Sequence, residues 1–190
     1  MIPNGVDLKK FNNNQKKYDH SLKSPIILYV GELCDWKNPD KTIRAVANTQ
    51  NLSLLMVGNG EEKYIEMGKK LLGDRFHHAK VKYEQMTEIY ASADIFTLCS
   101  AKNREAFGLV YLEAMASGLP VVATEDSTRR YVVGDAGIFV QNPNDANEYS
   151  SKLQLVLNKN WSDLPQTQAQ KFDWDEIVKE YERTFEGLIK

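Results

Sequence analysis

Residues 100–124, "SAKNREAFGLVYLEAMASGLPVVAT", concentrate the groups in this chain that could do chemistry. Two carboxylates, Glu105 and Glu113, stand with seven residues between them, and Ala106, Phe107, Gly108 and Leu109 follow the first where a helix is expected to begin. A polar loop that runs through a glycine into a helix has the geometry of an anion site. The free amides of the first helical turn and the positive end of the helix dipole can hold a phosphate or sugar hydroxyls, and Gly108 lets a ligand come close to the chain. The plainer alternative is that Gly108 only permits a tight turn. Were the backbone helical throughout, the two carboxylates would lie roughly 12 Å apart along the axis. Carboxylates that share one glycosidic bond sit roughly 5–9.5 Å apart, so this spacing suits two contacts at opposite ends of one extended ligand. Each carboxylate can accept from paired hydroxyls, one from a sugar and the other from a ribose. The alternative for Glu113 is a solvated helix residue, yet its neighbours Leu112, Ala114, Met115 and Ala116 are apolar, and a partly buried carboxylate needs a partner.

These groups need elements to position them. Short apolar runs alternate with stretches spaced by three and four, the pattern of βα units. Strands are expected at 26–30, 52–57, 80–83, 94–98, 120–123 and 137–140, and helices at 39–48, 61–72, 87–92, 108–117 and 144–157. Asn38 before Pro39 suits a helix start, with the asparagine as cap and proline at the first helical position. The order predicts an α/β fold, a doubly wound, Rossmann-like open parallel sheet of about six strands with helices on both faces, its ligand beyond the carboxyl ends of the strands. Lys37 then falls at the ligand edge of the sheet, and Gly58 in the turn after the second strand. Trp36 beside Lys37 could stack on a ligand or pack over the domain edge.

The totals narrow the field. With 190 residues, 42% hydrophobic and 26% charged, the chain is expected to form one sizeable core. A net charge of −2 with mixed signs gives no basic stripe for a nucleic-acid backbone. Cys34 and Cys99 form no CxxC pair, and His20, His77 and His78 have no metal-ligand spacing, so no metal is expected and a cytoplasmic setting fits. No run approaches the roughly 18–20 apolar residues of a membrane span, and any membrane contact would be peripheral. Residues 1–24, with the polar tract 12–17, read as an exposed linker, and 25–172 as the ligand-binding domain. Residues 173–190 read as an amphipathic helix whose apolar side, Trp174, Ile177, Val178, Tyr181 and Phe185, implies a partner surface. His77 and His78 are expected before a strand and exposed, and Arg129 and Arg130 on a solvated helix face.

Nearly the whole chain resembles the retaining glycosyltransferases of two-domain GT-B architecture, the group 1 glycosyl transferases, and in particular their C-terminal, donor-binding domain. The resemblance rests on "IPNGVDL", "ILYVGELCDWKNPDKTIRAVA", "LLMVGNGEE", "IYASADIF", "EAFGLVYLEAMASGLPVVAT" and "VGDAGIFV", in the family's order, with Glu105 and Glu113 at the positions of its E-x7-E motif. It implies that Glu105 reaches the donor sugar in the active site and that Glu113 accepts the ribose hydroxyls. It implies that Gly58 and the amides around Ala106, Phe107, Gly108 and Leu109 face the nucleotide-diphosphate sugar, and that Lys37 neutralises the diphosphate. The implied reaction is sugar transfer to a hydroxyl acceptor with retention and without a metal, the acceptor being held by an N-terminal domain not in this chain. Residues 173–190 would pack on that domain. The sequence departs from the family at Glu32, where an arginine is common, at Ala106, where glycine is common, and in a shortened loop from Tyr83 to Ile89 near the nucleotide base. Three other readings stand beside this one: a non-catalytic nucleotide- or phosphate-binding module, a GT-B sugar phosphorylase, and a nucleotide-sugar epimerase. A dinucleotide-dependent dehydrogenase is disfavoured, since no GxGxxG follows the first strand.

Overall fold

Aliphatic strands without polar interruption must be covered on both faces, and they end up at the centre of a parallel sheet. The computed structural model describes residues 2–12 and 14–189, without the side chain of residue 189. In it, β1 (Ile26–Val30), β2 (Ser53–Val57), β4 (Ile95–Leu98) and β5 (Val121–Thr124) are buried at every position. The strands β3 (Phe76–Ala79) and β6 (Gly137–Val140) are only partly buried. They form the edges of a six-stranded sheet of order β3-β2-β1-β4-β5-β6. All neighbouring pairs are parallel, and Leu28 of β1 lies between Leu55 of β2 and Phe96 of β4. The chain winds outward from β1 to β3 and returns to place β4 on the other side of β1. The crevice between the loops that leave β1 and β4 is therefore the topological switch point, where such sheets take their ligands.

Eight α-helices accompany the strands among the described residues: α1 (Pro39–Ala47), α2 (Glu62–Leu72), α3 (Met86–Ala91), α4 (Leu109–Ala116), α5 (Ser127–Val133), α6 (Ala146–Asn158), α7 (Leu164–Gln170) and α8 (Trp174–Ile189). Helix α1 packs with α2 and α6, and α4 with α5 and α7. Helix α4 is buried from Tyr111 to Ala116, as a helix that is apolar all round must be.

Several expectations are corrected. The third strand lies at Phe76–Ala79, not at 80–83. The Lys80-Val81-Lys82 alternation belongs to the loop beyond it, and Tyr83–Gln85 form a 3-10 turn. His77 and His78 are thus half-buried strand residues, and His78 Nε2 lies 2.8 Å from the Gly58 carbonyl. Asn38 does not cap α1 with its side chain. It adopts a left-handed conformation, φ 53°, and donates from Nδ2 to the Cys99 carbonyl at 2.8 Å. Helix α7 is unforeseen in the sequence, and α5 is expected only as a helix face bearing Arg129 and Arg130; both are short and follow Asp163 and Asp126. The opening segment is not wholly exposed. Val6, Phe11 and Leu22 are buried, and Val6 exchanges backbone hydrogen bonds with Phe172 (2.8 Å) and Trp174 (3.2 Å) at the start of α8. Met1, Asn13 and Lys190, which the expected linker, polar tract and final helix include, lie outside the described residues.

Candidate functional site

The loop that leaves β1 is held by its neighbours on both sides. Toward β2, Gly31 N donates to Val57 O (3.0 Å), Leu33 N to Asn59 O (2.7 Å) and Glu61 N to Leu33 O (2.9 Å). Gly58, at φ +149°, sits where a Cβ would come within 1.9 Å of the Gly31 carbonyl oxygen. The absence of a side chain there lets the two loops touch. Toward β4, Ala101 N donates to Trp36 O at 2.7 Å, and the Asn38–Cys99 bond adds a second tie. Lys37 ends the 3-10 turn Asp35–Lys37 and is thereby fixed at the switch point.

Glu105 comes from the loop after β4. Lys37 Nζ donates to its Oε2 at 2.6 Å, and each of the two side chains is 13% exposed. The ammonium also lies 4.2 Å from the Trp36 ring centroid. Trp36 therefore packs against Lys37 at the domain edge. An ion pair so placed keeps a cation and a carboxylate within reach of one ligand, and because it is not fully desolvated, a phosphate can compete for the ammonium. Glu32 does not share Lys37. It is exposed and makes no ion pair among the described residues, while its carbonyl accepts from Tyr29 Oη at 3.0 Å.

Helical geometry starts only at Leu109, so the axial spacing estimated between Glu105 and Glu113 does not apply. Gly108 precedes the helix at φ 86°, and a Cβ there would meet the Tyr111 ring at 2.4 Å and Glu105 Cγ at 3.3 Å. No side chain caps the first turn, and although Tyr111 N donates to the Gly108 carbonyl at 3.0 Å, the amides of Leu109 and Val110 can meet a ligand. Ala106 is exposed, Leu109 is 45% exposed, and Phe107 is half-buried with its ring edge-on to Phe172 at 5.9 Å.

Glu113 lies on the buried side of α4, 9% exposed. Its Oε2 accepts from Tyr90 Oη at 2.8 Å and its Oε1 from Tyr83 Oη at 3.4 Å. Burial pushes its carboxyl above the ordinary glutamate range, against the pull of those two hydroxyls and of Lys10. Burial and the carboxylate raise the Tyr90 phenol in turn. The two glutamates thus face different partners, and the solvated alternative for Glu113 fails.

Arg129, expected on a solvated face, is fully buried. It pairs with Asp126 and Ser100 Oγ, reaches Tyr111 Oη at 3.1 Å, and reaches the carbonyls of Ser100 and Ala101 at 3.4 Å each. It clamps the base of the loop that carries Glu105; Arg130 alone is the exposed member, bound to Glu125. Sequence reasoning missed Arg129, Tyr83, Tyr90 and Lys10. The signal for Arg129 was Asp126 three residues earlier, an N-cap that can also pair with it; no local signal marks the two tyrosines.

A six-stranded parallel sheet of this order with helices around it is the Rossmann-like α/β fold of GT-B glycosyltransferases. The chain belongs to the glycosyl transferases group 1 family, whose sequence profile matches residues 10–172. It is 30% identical, over 83% of its length and 46% of the relative's, to the GDP-mannose-dependent monoacylated alpha-(1-6)-phosphatidylinositol monomannoside mannosyltransferase of Corynebacterium glutamicum. It is 27% identical, over 100% of its length and 53% of the relative's, to an uncharacterized glycosyltransferase of Methanocaldococcus jannaschii. Among solved structures, sucrose-phosphate synthase from Thermosynechococcus elongatus superposes with a TM-score of 0.82 at 26% identity, covering 99% of this chain and 52% of that one. The chain thus spans about half the length of these relatives, at 46% and 53% of the two sequences.

Proposed function

We propose that this chain is the donor-binding half of a retaining glycosyltransferase that moves a sugar from a nucleotide diphosphate to a hydroxyl acceptor. The observation that carries the reading is the Lys37–Glu105 pair at the switch point between β1 and β4. In this reading the diphosphate lies against Lys37 and the amides of the first turn of α4, the sugar against Glu105, Ala106 and Phe107, and the ribose against Glu113. Leu109 and Gly58 border the ligand. As the bond from the anomeric carbon to the phosphate oxygen breaks, charge grows on that oxygen. Lys37 meets it, and no reorganisation of solvent is needed. The acceptor oxygen bonds to the anomeric carbon on the same face, and its proton passes to the departing phosphate. In this reading no step uses a metal. The acceptor would be held by an N-terminal domain of a longer protein, working in the cytoplasm or at its membrane face. No helix among the described residues is long and apolar enough to cross a membrane. The GDP-mannose in the name of the Corynebacterium relative supports a nucleotide-sugar donor here.

The test is a thermal-shift titration with uridine, guanosine and adenosine diphosphates and their sugar conjugates, since a ligand of the folded state raises its stability with affinity. A shift with one base that Glu113→Ala abolishes is the expected result. No shift with any nucleotide would overturn the reading. In the longer protein, Glu105→Ala is expected to abolish transfer while nucleotide binding persists; transfer at the parent rate would restrict Glu105 to a structural role.

A further inference from the structure

The two hydroxyls on Glu113 are not alike. Tyr90 is fully buried, and its Oη lies 2.8 Å from Oε2, the ordinary length of a strong O–H···O bond. Tyr83 is 56% exposed, and its Oη lies 3.4 Å from Oε1, well beyond that length. The first bond is built into the core, while the second is long and only partly buried. Phe11, buried, sets its edge against both rings, 6.1 Å from Tyr83 and 5.8 Å from Tyr90. Lys10 Nζ lies 3.7 Å from the Tyr83 centroid and covers one face of that ring. Lys10 and Phe11, from the opening segment, therefore hold the Tyr83 hydroxyl at the one carboxylate oxygen that Tyr90 leaves free.

We infer that Tyr83 is a displaceable plug on Glu113 and a determinant of nucleotide affinity: its hydroxyl occupies Oε1 in the empty site, and a ribose hydroxyl takes its place. This rests on the reading of Glu113 as the ribose contact. A nucleotide whose ribose hydroxyl takes Oε1 must break the Tyr83–Glu113 bond and turn the Tyr83 hydroxyl away, one that lacks the ribose hydroxyls leaves that bond in place, and Tyr90 stays in both cases and continues to orient the carboxylate. The opening segment thus takes part in the site through Lys10, which fixes the resting position of the plug.

The experiment compares the whole chain with Tyr83→Phe by calorimetric titration, using uridine, guanosine and adenosine 5′-diphosphates and their 2′,3′-dideoxy counterparts. Removing the hydroxyl leaves the ring and its Lys10 contact and frees Oε1. The expected result is a roughly two- to five-fold tighter affinity for the ribonucleotide that binds, the worth of one long, partly buried hydrogen bond, with no change for the dideoxy form. Unchanged or weaker ribonucleotide affinity, or an equal gain for the dideoxy form, would overturn the plug. If the parent binds ribo- and dideoxynucleotides equally, the ribose role of Glu113 falls, and the plug with it, while nucleotide binding stands. If the parent binds no nucleotide, the donor-site reading itself falls. The unfolding midpoint of Tyr83→Phe, expected within a degree or so of the parent for an exposed site, separates these outcomes from misfolding.

Discussion

Glu113 shows how a site residue taxes the fold that carries it. A carboxylate on the buried side of an apolar helix keeps its charge only against desolvation, and the hydroxyls of Tyr90 and Tyr83 offset part of that cost. Because burial raises its pKa in the folded state, the folded protein binds its proton more readily than the unfolded chain does. Its contribution to stability is then fully present below the unfolded value, about 4.3, and is lost as pH rises through the folded one. Glu113→Gln removes that loss. We expect its unfolding midpoint to exceed the parent's at pH 7 and the two to converge near pH 4, as followed by circular dichroism. Equal midpoints across that range would mean that the two tyrosines compensate the burial in full. Arg129 is the opposite case. Its charge is fully buried, yet Asp126, Ser100 and Tyr111 satisfy it, and the arrangement locks the base of the Glu105 loop. The one sign in the sequence that Arg129 and not Arg130 points inward is Asp126 three residues earlier, and the packing of α5 against α4 buries it.

At the scale of elements, the site is an arrangement of loops, and glycines decide how closely the loops meet. Gly58 and Gly73 both have positive φ, but their surroundings differ. A Cβ at Gly58 would collide with the Gly31 carbonyl at 1.9 Å, while at Gly73 nothing lies within 4 Å. Gly73→Ala is therefore expected to cost only the backbone strain of its conformation, φ 58° and ψ −122°, about 1–2 kcal/mol. Gly58→Ala must also part the loops after β1 and β2, and we expect a loss of at least about 2 kcal/mol, with nucleotide affinity falling as Lys37 shifts. Denaturant unfolding of the two variants checks this; equal losses would show that the loop contact is soft. The central strands and α1, α2, α4 and α6 were legible because their apolar runs are long and their periods unambiguous. The third strand was misplaced since Phe76-His77-His78-Ala79 reads as polar, and its burial arises from packing: Phe76 fills the space beside Gly68, where a Cβ would meet the ring at 2.4 Å.

For the whole molecule, the unfinished surface is α8. Its first turn is docked: Ile177 is buried, and the Trp174 ring lies over Gly5, where a Cβ would meet it at 2.7 Å. Farther along, Val178, Phe185 and Leu188 are 46, 59 and 78% exposed. An apolar row of that kind on a free helix end favours association. We expect the isolated chain to self-associate with concentration and Phe185→Glu with Leu188→Glu to hold it monomeric, as measured by sedimentation velocity. A parent that stays monomeric at high concentration would show that the row tolerates water.

The sequence by itself determined the α/β class, the parallel winding and the helix that carries Glu113, because hydrophobic period and local turn chemistry act over a few residues. It did not determine which groups those glutamates meet. The pairing of Lys37 with Glu105 joins residues 68 apart, and the bonds of Glu113 to Tyr90 and Tyr83 join residues 23 and 30 apart. The burial of Arg129 likewise depends on Ser100, 29 residues away. The first of these contacts exists only once β1 and β4 lie side by side and the others only once the elements flanking β4 and β5 have packed, so their chemistry belongs to the tertiary structure alone.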